Sequence, residues 1–135
     1  MAISYTCDRR NGVVKSEITD CQGDAIIKIL KALNIQKGEV PLYINCDGED
    51  WCLGYYEDVN IPRNLSVAIM KNSFSGKAKC HHQDSFDIKE GKKYAKSRMM
   101  KKYNHSKDRA IRRFYNQMQK DTERIEALIS KNEKN

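Results

Sequence analysis

Proline occurs only twice in the 135 residues and tryptophan once, and no apolar run comes near the roughly 18 residues needed to cross a bilayer. Runs such as Ala25-Ile26-Ile27 and Val67-Ala68-Ile69-Met70 are too short for that purpose. The start, Met1-Ala2-Ile3-Ser4-Tyr5, has no basic segment leading into an apolar one, so a cytoplasmic protein without membrane contact is expected. The glycine patterns GxGxxG and GxxxxGK[ST] and the elbow GxSxG are missing, which removes the usual basis for dinucleotide oxidoreductases, P-loop NTPases and serine hydrolases. The five cysteines are odd in number and lack CxxC spacing, so they read as reduced thiols and not as a disulfide framework. The length suits about one domain and leaves no room for separate cofactor and substrate domains.

What is abundant is positive charge, in one place. Residues 1–85 carry 10 Lys/Arg and 11 Asp/Glu, whereas residues 86–135 carry 15 and 7. Between Lys92 and Arg113 ten basic residues stand against one acid, Asp108. Such a field attracts phosphates, although a basic helix face that only solvates the protein has the same composition. The division of charge suggests an α+β domain over 1–85 and a basic helical arm over 86–135.

Within the first part, Ile3–Cys7 and Val13–Lys15 read as a hairpin around Arg10-Asn11-Gly12. Ile18, Ala25, Ile26, Ile29, Leu30 and Leu33 recur at helical spacing and predict one amphipathic helix ending before Gly38. Val40–Asn45, Trp51–Glu57 and Leu65–Lys71 are β-rich and predict a three-stranded meander, with Lys77–Cys80 as partner of its last strand. That pairing makes 72–76 a loop carrying Phe74 among small polar residues. Asp87 with Glu90 resembles a capping box, with Phe86 as its staple, and opens the helical last third. Ile88, Ala95, Met99, Tyr103, Ala110, Phe114, Met118, Ile125 and Ile129 then fall at steps of four or seven, forming one stripe. A continuous helix would be a rod of roughly 65 Å, longer than a small domain covers, so a second copy is expected along the stripe. A turn at Asn104-His105-Ser106 would instead fold the two halves back within a monomer.

The fold class expected is therefore α+β: a small antiparallel β-sheet, one packed helix, and a long basic C-terminal helix or helix pair forming an oligomer interface. On a helical wheel Arg98, Lys102, Arg109 and Arg113 cluster beside the apolar row. Arginines at a groove edge can grip phosphate bidentately, and Arg109 with Arg113, one turn apart, are the first choice for a pyrophosphate. Their alternative role is pairing with acids. Phe74 on its loop would stack a nucleobase, or else plug the core. Trp51, Tyr55 and Tyr56 rank below it. Cys80-His81-His82-x-Asp84, with Cys46 and Cys52, offers metal-ligating types at a spacing that fits no common zinc template, so no metal, cofactor or catalytic residue is assigned.

Gly76-Lys77-Ala78-Lys79-Cys80-His81, then Phe86-Asp87, Gly91-Lys92, Ala95, Arg98 and Lys102, resembles a pattern of small phage and prophage proteins in which a Cys-His strand leads through Phe-Asp into a basic helix. The architecture is most similar to the Thoeris anti-defence sponge family, with His82 where the pattern more often has proline. The resemblance implies a non-enzymatic homo-oligomer in the cytoplasm of an infected bacterium. It would sequester a cyclic ADP-ribose-type signal, block the host effector, and also take up cyclic oligonucleotides. The site residues named above come from their chemistry and not from the family. The alternative is a DNA- or RNA-binding phage module, such as an anti-CRISPR or a regulator, using the basic helix.

Overall fold

The computed structural model describes residues 2–46, 48–57, 61–80 and 87–133. The chain is α+β, with strands β1 (Ile3–Asp8), β2 (Val13–Ile18), β3 (Lys37–Cys46), β4 (Glu49–Tyr56) and β5 (Phe74–Lys79) and helices α1 (Asp24–Ala32) and α2 (Ile88–Glu133). The strands form two antiparallel sheets, β1-β2-β5 and β3-β4. Two compact units divide the chain, Met1–Gln22 with Met70–Lys107 and Gly23–Ile69 with Asp108–Asn135, cutting across the charge boundary near residue 85.

In the first unit the hairpin turn forms where Asn-Gly predicts it. Gly12 takes φ +62, a backbone that side chains disfavour, while the Asp8 carboxylate accepts from the Asn11 backbone N–H at 3.2 Å and from its side-chain amide at 2.8 Å. Strand β2 runs on to Ile18, paired with Ile3 on one side and Phe74 on the other. Ile18 thus belongs to the sheet and not to the helix its spacing suggested. Its alternation with Val14 and Ser16 supplies the buried face, because side chains two apart share a side of the pleat.

That face meets α2 at unusually short range. A Cβ on Gly76 would lie within 2.5 Å of the Met99 backbone nitrogen and closer still to the Ala95 carbonyl, so only glycine lets β5 touch helix backbone here. Gly91 and Ala95, one turn apart, keep the helix surface equally low, with Gly91 over Val14. The buried Ser16 hydroxyl donates to the Ala95 carbonyl at 2.7 Å, which satisfies the polar atom this packing encloses. Phe74 packs edge-to-face on Tyr103 with centroids 5.8 Å apart. At the start of α2, Asp87 Oδ1 accepts from the backbone N–H of Lys89 at 3.0 Å, the cap that its sequence position suggested. Phe86 lies outside the described residues.

In the second unit α1 ends in a Schellman motif: Asn34 at φ +60, its N–H on Lys31 O and that of Ile35 on Leu30 O, both at 3.0 Å. Strands β3 and β4 form a ribbon with irregular register between Lys37 and Val40 and between Leu42 and Tyr43. The third strand of the expected meander is absent. Residues Arg63–Ala68 form 3₁₀ turns, and the buried side chains of Leu65 and Ala68 are three apart, as a threefold turn requires. The β-branched content of Leu65–Lys71 pointed to a strand, yet the spacing of its buried residues did not. Strand β5 pairs with β2 instead, and starts at Phe74, three residues before the expected Lys77.

Helix α2 runs through Asn104-His105-Ser106 without interruption. Its stripe is covered at Ala95, Met99, Tyr103, Ala110 and Phe114, which are buried within the chain, and bare at Ile125 and Ile129, which with the neighbouring Leu128 are each more than half exposed. The reason for placing a second copy along the stripe narrows to those last residues.

Candidate anion-binding cleft

Helix residues Arg98, Lys101, Lys102 and His105 occupy positions i, i+3, i+4 and i+7 and therefore share a face. With Ser75, Gly76 and Lys77 of β5 they line an open cleft of about 700 Å³, wholly within the first unit. Four cations border it, and among the described residues no carboxylate lines it. The strand edge helps to position them. Arg98 Nη1 donates to the Lys77 carbonyl, and Lys102 Nζ to the Ser75 carbonyl at 3.1 Å. Each bond uses one donor of a group that has several, five on a guanidinium and three on an ammonium, so both retain donors for an anion. Among the described residues the ion pair present is Lys15 with Glu17, and none of the basic residues from Lys92 to Arg113 is paired with a described acid.

The two arginines ranked first in the sequence lie elsewhere. Arg109 and Arg113 belong to the second unit. Arg113 Nε donates to the Val67 carbonyl at 3.2 Å and Nη2 to the Ile69 carbonyl at 3.3 Å, so its guanidinium closes the end of the 3₁₀ turns. That is a structural use of two donors at carbonyls which such turns leave free. Arg109 is exposed and has no hydrogen bond to a described residue. The four-residue row on the wheel thus separates into Arg98 and Lys102 at the cleft, and Arg109 and Arg113 in the other unit.

Phe74 is not an exposed stacking platform. It is 9% exposed as the first residue of β5, and the sheet turns its ring onto Tyr103, the core-plugging alternative. The loop reading failed because β5 begins at Phe74 and not at the expected Lys77. Trp51 and Tyr55 are exposed on the ribbon and Tyr56 is buried, with Lys37 Nζ 4.7 Å from its ring centroid. His81, His82 and Asp84 lie outside the described residues, and among the described residues no group of three His, Cys, Asp or Glu could hold a metal. Lys101 and His105 are the lining residues that the wheel did not single out. Their signal was the i, i+3, i+4, i+7 spacing from Arg98, obscured because ten cations crowd that segment. Comparison with known protein families, with curated proteins and with solved structures finds no match to this chain.

Proposed function

We propose that this protein binds and sequesters a phosphate-bearing signal nucleotide, and that the cyclic ADP-ribose-type signal suggested by the sequence resemblance is its ligand. The observation that carries this reading is the cleft: four cations and an imidazole converge on one open volume, with no carboxylate among its described lining residues to neutralise them. A pyrophosphate would take the remaining donors of Arg98 and Lys102, with Lys101 and Lys77 at its rim, as charge-assisted bonds. His105 offers the planar surface for a base that the buried Phe74 does not.

The test incubates the protein with cyclic ADP-ribose at physiological ionic strength, follows free ligand, and then heats the protein. Depletion followed by return of intact ligand is the expected result. No depletion refutes the ligand, and return of an altered nucleotide refutes sequestration. The rival reading, binding along a nucleic-acid backbone, draws on the same dense cations of α2. Neutralising six to ten phosphates costs about 10³–10⁵ in affinity between about 50 and 200 mM salt, whereas a two-phosphate ligand loses far less.

A further inference from the structure

The three-stranded sheet has two edges that are treated differently. Along β5, the Ser75 and Lys77 carbonyls face away from β2 and are occupied by Lys102 and Arg98. Cys80 N–H, by contrast, donates to Gly12 O at 2.7 Å, back across the hairpin. In β5 the even residues therefore bond β2 and the odd ones face outward, since N–H and C=O of one strand residue point the same way. The register carries this parity through the sheet. Val14, Ser16 and Ile18 of β2 face β5, which leaves Val13, Lys15 and Glu17 to bond Asp8, Thr6 and Ser4 of β1. Ile3, Tyr5 and Cys7 must then direct both backbone groups outward.

No described residue bonds that outer side, and the residues of β1 themselves supply none of the features by which a strand protects its own edge. It contains no proline, no lysine and no bulge, and its one charge is the terminal Asp8. We infer that β1 is a self-association edge, pairing antiparallel with β1 of a second copy. A two-fold axis at Tyr5 places Tyr5 opposite Tyr5 of the second copy, Ile3 opposite Cys7, and Ser4 opposite Thr6. Aromatic, apolar and hydroxyl pairs thus meet and no like charges oppose, the side-chain condition for a stable antiparallel pair. Asp8 falls opposite Ala2. A chain carrying +7 meets its copy along a strand that is itself nearly neutral, and Lys92 of α2, which stands over that strand, is drawn onto the Tyr5 ring with Nζ 5.3 Å from its centroid.

Sedimentation of the full chain over a concentration series tests this. The wild type should approach twice its 15.7 kDa mass, and Cys7→Pro should return it to one chain. That proline removes only an outward N–H and leaves the β1–β2 ladder intact, so its circular dichroism should match the wild type; Cys7→Lys, a gatekeeping charge on the same exposed residue, should also weaken association. As a second readout, Ile3→Cys should form interchain disulfides with Cys7 of the second copy on mild oxidation. Directly opposed residues have Cα atoms about 5.5 Å apart, within disulfide range. A wild type that stays monomeric at the highest concentration overturns the inference. So does a dimer that survives Cys7→Pro and Cys7→Lys yet dissociates with Leu128→Glu, which would assign association to the bare end of α2.

Discussion

The two units of this protein are built from similar parts and differ in charge and closeness of packing. The first, holding β1, β2, β5 and the start of α2, has 14 basic and 6 acidic residues; the second has 11 and 12. The whole excess of positive charge therefore belongs to the unit whose helix rests directly on its sheet. The two features are compatible because Gly76, Gly91 and Ala95 bring the backbones together while long side chains such as Arg98 and Lys102 reach past the contact to the strand edge. In the second unit the arginine of the same helix serves its own fold, closing the 3₁₀ turns. One helix thus supplies cations for a cleft over one stretch and a brace over the next. A row of like residues on a wheel is not a site until the chain around it is known.

The most damaging way to probe this comparison is at the close contact. Gly76→Ala inserts a methyl group against helix backbone that cannot rotate aside, so a loss of about 3 kcal/mol or more is expected. Gly48→Ala, at φ +85 but with open space around it, should cost only about 1–2 kcal/mol. Chemical denaturation of both variants checks the order, and equal losses would mean that α2 does not pack on β5 as described.

Binding separates the two arginine sets. Arg98→Ala combined with Lys102→Ala should weaken cyclic ADP-ribose binding by about 10²–10⁴-fold, each charged bond being worth about 1.5–3 kcal/mol. Arg109→Ala should leave affinity unchanged, and Arg113→Ala should lower stability by about 1 kcal/mol through the carbonyls it releases. Calorimetry on the three variants decides. Loss of binding with Arg109→Ala and not with the cleft pair would transfer the site to the second unit.

These experiments bear on what the sequence made legible. The hairpin, β3, β4, the helical last third and the Asp87 cap depend on local signals, an Asn-Gly turn, alternation and a side-chain oxygen at a helix start, and each was readable within a few residues. The partner of β5 was not. Phe74 is in a strand because β2, some 60 residues earlier, lies beside it, and only that long-range pairing turns its ring inward. The same holds for the cleft: Arg98 and Lys102 were readable as cations on one face, while the Ser75 and Lys77 carbonyls that fix them belong to a strand whose start was misplaced. Leu65 and Ala68 carried their own signal, a spacing of three that outweighs β-branched content.

Smaller effects sharpen the contrast further. Ser16→Ala removes a hydroxyl that donates to the Ala95 carbonyl inside the first unit, and about 1 kcal/mol should be lost. Ser66→Ala, at an exposed position in the second, should change stability by less than about 0.5 kcal/mol. Thermal melts of both variants read the difference directly, and a neutral Ser16→Ala would show that the enclosed hydroxyl contributes nothing at the contact.

The smallest effect expected is at the hairpin turn. The Asn11 side-chain amide, and next its backbone N–H, hold the exposed Asp8 carboxyl below the ordinary aspartate value. A depressed value in the folded state means that folding favours the ionised form, so this contribution is fully present above the unfolded-state value and fades as the pH falls through the folded one. Asn11→Ala should therefore lower the melting temperature slightly at neutral pH and not at all once Asp8 is protonated in both states. Melting curves of the wild type and this variant, taken from neutral pH into the acid range, should converge on acidification. A gap that stays constant with pH would mean that Asn11 acts through turn geometry alone and that the Asp8 charge is not coupled to folding.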